Sequence, residues 1–161
     1  MRVVLFALLI ALSFGCGEED MMTPSESTLP PDPGEDGRAT LQGIDADDDG
    51  VRDDVQIYIE TSYERDDVRA ALYDIAVPMM RSYTGALTEA EVLDRTDEMN
   101  QGIDCLFALV DNQAALDILL ELQATVLNTA ARIRASNAAD ALASGNTFLL
   151  PDGDASVACS R

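Results

Sequence analysis

The chain has 161 residues and a formal net charge of −20, and all ten of its basic residues are arginines. A surface this acidic would repel the phosphates of nucleic acid, which argues against a DNA or RNA partner and favours divalent cations. The sequence contains no histidine. Its absence removes the commonest general base, the Ser/His and Cys/His catalytic pairs, and the commonest ligand of zinc, copper and iron.

Residues 1–15 have the pattern of a secretory signal peptide, because a positive charge precedes the apolar run 3–12, which is too short to span a bilayer. Gly15 and Cys16 follow, and a small residue directly before a cysteine resembles the bacterial lipoprotein signal. The resemblance implies a lipid on Cys16, a membrane as partner and a place in the bacterial cell envelope. Because Gly17 is not an aspartate, the sorting rule of enteric bacteria implies the outer membrane. The alternative is an ordinary signal peptide, cut nearby, that leaves the cysteine free or removes it.

Residues 16–40 are predicted to be a disordered tether, because they are rich in proline, glycine and acids and show no periodic apolar pattern. Such a segment buries too little apolar surface to order itself. The folded domain is therefore predicted to comprise residues 41–161.

The most specific chemical pattern is the stretch from Gly43 to Gln56, where aspartates alternate and a glycine follows the third of them. Calcium takes about six to eight oxygen ligands, and alternate side chains of a tight loop point inward to supply them. Glycine at the sixth position permits the sharp turn. The predicted calcium ligands are Asp45, Asp47, Asp49, the carbonyl of Val51, Asp53 and Gln56.

The pattern D-x-D-x-D-G-x-x-D resembles EF-hand loops, dockerin loops and the aspartate-rich repeats of thrombospondin type 3. The resemblance covers about a dozen residues, so it implies a calcium site and no activity. Gln56 replaces the bidentate glutamate of an EF-hand, Arg52 occupies the usual apolar position, and no helix enters the loop. We therefore expect a dissociation constant of about 10⁻⁴ to 10⁻³ M. The alternative is an acidic turn whose aspartates cap the first helix and stay solvated.

The longer run G-I-D-x-x-x-x-G-V-R-D-D-V also resembles the opening of some exported bacterial proteins of unassigned function. This second resemblance supports export and implies no activity.

Apolar residues at helical spacing predict an all-α fold, a small bundle of about four helices behind the signal peptide, tether and calcium loop. Pro78 is expected to kink or split the second helix. Thr88 and Glu91 form a capping box at the third. The fourth has so wide an apolar stripe that it is predicted to be central. The predicted helices are 53–63, 66 to about 84, 89–110, and 112–135, the last extending as far as 143.

Cys105 and Cys159 form an even pair in a chain predicted to be exported, so a disulfide between them is expected. The bond would close a loop of about 55 residues and stabilise the fold by roughly 4 kcal/mol through chain entropy. It would pin the C-terminal tail to the third helix. The alternative is two unpaired thiols.

No catalytic motif is recognisable, so the leading hypothesis is a non-enzymatic, lipid-anchored envelope protein with a structural calcium site. Its partner would be an envelope protein or polymer. One alternative is an enzyme, or an enzyme accessory, that acts on envelope polymers through carboxylates such as Glu60, Glu64 and Asp67; helix acids of this kind more often form a solvated face. The other alternative is a calcium-responsive sensor.

Overall fold

The computed structural model describes residues 29–85, 87–146 and Cys159. Within these residues the protein is all-α, as predicted, with five α-helices and no β-strand. None of these helices is both long and apolar enough to cross a membrane. The predicted signal peptide and Cys16 lie outside the described residues. The helices are α1 (Asp53–Ser62), α2 (Asp66–Arg81), α3 (Glu89–Leu109), α4 (Asn112–Val126) and α5 (Ala130–Leu142).

The pair α2 and α3 forms the most extensive helix contact, while α1 packs on α2 and α4, and α5 packs on α3. Gly102 of α3 lies where the two long helices approach each other closely. A Cβ atom at Gly102 would lie 2.8 Å from Cγ1 of Ile75 and 3.0 Å from the backbone carbonyl carbon of Asp74. The glycine is therefore a packing position, because the missing side chain is what allows this approach.

Two features of the predicted helices concern their ends. The capping box of α3 is confirmed, since Thr88 accepts from the Glu91 amide and the Glu91 side chain accepts from the Thr88 amide. Pro78 does not split α2, which continues to Arg81. The proline lies in the last turn, so only one intrahelical hydrogen bond is lost before the helix ends.

The predicted fourth helix is two helices, so the described residues contain five α-helices where about four are predicted. The chain leaves helical geometry at Leu127, and Thr129 caps α5 by accepting from the Arg132 amide at 3.1 Å. A threonine hydroxyl that bonds the third amide of a helix favours a new N-terminus over continuation. The first of the two, α4, packs on α1, α2 and α3, but its apolar stripe is not wholly buried, because Leu116 and Leu120 are 49% and 64% exposed.

Within segment 29–40, Gly37 and Thr40 bond α5, whereas the sequence predicts a disordered tether as far as Thr40. Its backbone turns through a 3₁₀ helix at Asp36–Arg38, where Gly37 is buried. Arg132 of α5 donates to the carbonyls of Gly37 and Thr40 at 2.6 and 3.0 Å. These two hydrogen bonds attach the end of the predicted tether to α5 through its backbone.

Cys105 and Cys159 are joined as a disulfide with their Cα atoms 4.9 Å apart, within the usual range for this bond. Cys105 is buried in the core next to Leu106. The bond therefore ties the chain at Cys159 to the inner face of α3.

Candidate metal centre

The aspartate loop immediately precedes α1, and its backbone conformation follows from its glycines and aspartates. Gly50 has a φ of +89° and Asp48 a φ of +57°, the left-handed region that glycine and aspartate tolerate best. The amide of Asp53 donates to the Ile44 carbonyl at 2.9 Å and closes the loop where the helix begins. The sequence thus folds this stretch into a tight turn in front of a helix.

Hydrogen bonds inside the loop orient its carboxylates. Asp45 accepts from the amides of Asp49 and Gly50 at 3.2 and 2.9 Å, and Asp49 accepts from the Val51 amide at 2.8 Å. One carboxylate oxygen from each of Asp45, Asp47 and Asp49 lies within 4.8 Å of the other two. Three of the six predicted ligands are therefore brought together, around a space that a cation could fill.

The electrostatics of this group favour a cation. Burial raises the pKa of Asp49, the hydrogen bond from the Val51 amide opposes this rise, and the nearby charges of Asp47, Asp45 and Asp53 raise it further. Like charges held this close repel one another, and a divalent cation turns the repulsion into attraction.

Asp53 is fully buried at the first position of α1. Its Oδ1 accepts from the amide of Ala46, which lies between Asp45 and Asp47 in the chain, so the carboxylate reaches across the loop. Its Oδ2 is buried and has no hydrogen-bond partner among the described residues. A buried carboxylate oxygen without a partner costs about 1–3 kcal/mol or more, and a bound cation would satisfy it.

Gln56, the last predicted ligand, also reaches the loop. Its Nε2 donates to Oδ2 of Asp47 at 3.3 Å, and its Oε1 is a second buried oxygen for which the described residues provide no hydrogen bond. Val51, whose carbonyl completes the predicted set, has a buried side chain in the core. Asp53 and Gln56, in the first turn of α1, thus bond to the loop that carries the three converging aspartates.

Arg52 is a residue whose role the sequence does not reveal. Its side chain is 3% exposed and leaves the loop to enter the bundle. One terminal nitrogen donates to the hydroxyl of Tyr83 at 2.7 Å and to the carbonyl of Val126 at 2.8 Å, and the other donates to the carbonyl of Thr125 at 3.1 Å. The unusual basic residue at the eighth loop position was the available signal, but nothing in the sequence shows that it is buried.

Asp54 neutralises Arg52 through a bidentate ion pair with distances of 2.8 and 2.9 Å. Burial by itself would raise the pKa of Asp54, but the hydrogen bonds and charge of Arg52, with a hydrogen bond from Asn128, hold that pKa below its ordinary value. Asp54 therefore remains ionised inside the structure.

Arg132 of α5 continues this polar network and is fully buried. Besides the carbonyls in segment 29–40, it binds the carbonyl of Leu41 at 3.1 Å and the side-chain oxygen of Asn128. Asn128 in turn donates to Asp54 at 2.8 Å. We call the connected side chains of Arg52, Asp54, Tyr83, Asn128 and Arg132 the arginine network.

The carboxylates considered for catalysis do not gather into one site. Glu60 accepts from the hydroxyl of Tyr73 at 2.9 Å and pairs with Arg69 at 3.2 Å. Asp67 pairs with Arg65 at 2.7 Å. In the described parts of the chain, the group of acids whose oxygens converge is the one in the aspartate loop.

A cleft of about 390 Å³ lies beside the arginine network and is bounded by the Leu41 segment, the end of α2 and α5. Its wall is mainly apolar and includes Leu41, Tyr83, Leu87, Ala135 and Leu142. On α4, the exposed side chains of Leu116 and Leu120 are one turn apart and so lie on the same side of the helix.

Comparison of the chain with known protein families, curated proteins and solved structures found no match.

Proposed function

We propose that this protein is a structural or binding module of the bacterial cell envelope whose N-terminal loop binds calcium. The observation that carries the calcium assignment is the buried, unpartnered Oδ2 of Asp53, on a side chain that crosses a loop of three converging carboxylates. A merely solvated acidic turn does not explain a fully buried carboxylate at this position.

The chemistry of the donors selects calcium among common ions. Four carboxylates, one amide oxygen and one backbone carbonyl are all hard oxygen ligands, and together they approach the six to eight that calcium prefers. Zinc and copper favour imidazole and thiolate, which this loop lacks. Magnesium usually retains several waters and does not require a cage of this size.

The role proposed for the ion is structural. Asp53 and Gln56 belong to α1, while the other ligands precede it, so a shared ion fastens the loop to the helix. Binding energy at such a site contributes to folding, since the ligands are not arranged in the unfolded chain.

A calcium titration of the full-length chain by calorimetry tests this proposal, with a dissociation constant expected at about 10⁻⁴ to 10⁻³ M. Asp47→Asn should weaken binding at least about tenfold, because it removes a charged ligand. The matched control is Asp48→Asn, which removes an exposed acid from the same loop outside the ligand set and keeps a residue that tolerates positive φ. Absence of binding at millimolar calcium, or equal losses in both variants, would sink the calcium assignment.

Membrane attachment is proposed through a lipid on Cys16, on the strength of the Gly15–Cys16 pattern alone. Incorporation of a labelled fatty acid by the bacterial expression host should occur in the natural chain and be lost in Cys16→Ser. Labelling that persists in the variant would contradict this attachment.

The binding role is supported by the exposed Leu116 and Leu120 on α4 and by the apolar cleft beside the arginine network. Exposed apolar surface of this kind favours partner binding over a purely solvated exterior. A pull-down from envelope extracts with and without calcium tests for such a partner. Retention of the same partner by Leu120→Ser would contradict a role for this face of α4.

A further inference from the structure

We propose that Arg52 is the positioning residue of the calcium site, and that it couples calcium binding to the α4–α5 corner, residues 125–132. The proposal rests on the calcium function proposed above. It assigns a role to a residue that is not itself a ligand.

Arg52 is placed in the chain to transmit such a coupling. Its neighbours are Val51 and Asp53, both predicted ligands, so its backbone cannot shift without moving them. Its carbonyl accepts from the amides of Val55 and Gln56 at 2.9 Å each, which fixes the first turn of α1. The backbone of Arg52 therefore sets the relative positions of the loop ligands and the helix ligands.

The side chain of Arg52 is held entirely outside the ion site. Besides its ion pair with Asp54, it donates to Tyr83 and to the carbonyls of Thr125 and Val126. These two carbonyls lie at the end of α4. The last carbonyls of a helix have no intrahelical partner and carry partial negative charge, so a buried guanidinium there is stabilised. The side chain of Arg52 thus attaches the calcium loop to the α4–α5 corner.

Gly43 shows how closely the loop is fitted to both arginines. A Cβ atom at this residue would lie 2.5 Å from Cδ of Arg52 and 2.8 Å from a terminal nitrogen of Arg132. At Gly43, where the chain enters the calcium loop, the backbone therefore lies close to both arginine side chains. A loop displaced from its calcium-binding position would therefore disturb both guanidinium groups together.

The coupling follows from linkage. If the ion and the corner both require the same backbone position of residues 51–53, then each stabilises the state that the other needs. Calcium should slow exchange of backbone amides in residues 125–132, although no predicted ligand lies there. Reciprocally, weakening the corner should weaken calcium binding.

The test measures calcium affinity by calorimetry in full-length variants, at a temperature where circular dichroism shows each variant to be folded. Arg52→Lys should weaken binding about fivefold or more, because a lysine cannot reproduce the forked contacts. Tyr83→Phe deletes one hydroxyl, keeps Arg52 and should weaken binding about two- to tenfold. Arg134→Lys, on the exposed surface of α5, is the matched control and should bind like the natural chain.

The outcomes separate the two proposals. Weaker binding in both variants with unchanged binding in the control, together with calcium-dependent protection of residues 125–132, supports the coupling. If the natural chain binds calcium and Tyr83→Phe, folded, binds it equally well, the coupling is overturned while the calcium site stands. If the natural chain binds no calcium, both proposals fail.

Discussion

Arg132 carries a full positive charge in the interior of the protein, and in the described residues no carboxylate bonds it directly. Its partners are three backbone carbonyls and the side-chain oxygen of Asn128, and the charge of Asp54 acts on it without a direct bond. Backbone dipoles that converge on a guanidinium satisfy its donors without an ion pair. Polar contacts of the arginine network, rather than apolar packing, therefore hold the N-terminal segment against α5.

Arg132→Met tests this reading of the buried charge. We expect the free energy of unfolding to fall by about 2–4 kcal/mol, because the carbonyls of segment 29–41 and the Asn128 side chain lose their partner. Urea denaturation followed by circular dichroism measures the change. Arg134→Met, an exposed neighbour on the same helix, is the control and should change stability by less than about 0.5 kcal/mol. Equal effects of the two substitutions would contradict the role of the network.

Tyr73 offers a spectroscopic view of the ion site. Burial raises the pKa of Tyr73, and the hydrogen bond to Glu60 and the charges of Glu60 and Asp49 raise it further. The Tyr73 hydroxyl therefore interacts electrostatically with Asp49, one of the predicted ligands. The chain contains no tryptophan, so tyrosines are the available sensitisers of a lanthanide bound in place of calcium.

Excitation of tyrosine should therefore produce terbium luminescence, and Tyr73→Phe should reduce it while leaving calcium affinity unchanged. Tyr63→Phe, a tyrosine whose hydroxyl bonds Tyr58 instead, should leave most of the emission intact. Full emission from the Tyr73 variant would place the ion elsewhere in the molecule.

At the scale of helices, the close approach of α2 and α3 depends on Gly102. The substitution Gly102→Ala has two opposing effects on the free energy of unfolding. Alanine favours a helix over glycine by about 1 kcal/mol, whereas overpacking costs about 1–3 kcal/mol. Because one of the crowded atoms belongs to the backbone of Asp74, rotation of a side chain cannot relieve the clash. We expect the free energy of unfolding, measured by urea denaturation, to fall by up to about 2 kcal/mol. Gly85→Ala, where a new Cβ meets nothing within 4 Å, should be neutral or slightly stabilising.

Local signals predicted the first three helices well because their ends are encoded by neighbouring residues. The capping box at Thr88 and the acids Asp53 and Asp54 in the first turn of α1 can be recognised without knowledge of the tertiary structure. The sequence does not predict the division between α4 and α5, because Asn128 and Thr129 include neither the glycine nor the proline that commonly marks a helix end. Apolar periodicity also says nothing about which leucines find a partner, so the exposed Leu116 and Leu120 could not be foreseen.

The candidate site likewise has one part that the local sequence predicts and another part that it does not. The spacing of aspartates in the loop is local, and the structure brings the carboxylates of Asp45, Asp47 and Asp49 together. The arginine network joins residues more than 70 positions apart in the chain. Contacts at such separations produce no periodic pattern in a single sequence. The sequence therefore does not reveal that Arg52 and Arg132 are buried.

For the molecule as a whole, the folded unit includes part of the predicted tether, and a truncation series tests this extent. Removal of residues 1–40 should lower the free energy of unfolding by about 2–4 kcal/mol relative to removal of residues 1–28, because Arg132 loses the carbonyls of Gly37 and Thr40. Urea denaturation of the two chains measures the difference. In an Arg132→Met background the same truncation should cost less than about 1 kcal/mol, since residues that share an interaction are not additive. An undiminished cost would assign the effect to other contacts of the segment.

The attachment of segment 37–41 to α5 also fixes how the molecule would carry a mechanical load. A pull applied from the N-terminal side, as by an anchor at a surface, reaches the carbonyls of Gly37, Thr40 and Leu41 before it reaches the aspartate loop or α1. The three bonds that Arg132 makes there would resist the pull together, and the loop lies behind them in series. Helix α5, the last of the described helices, is thus the first helix to bear tension that is applied from the N-terminal side of the chain.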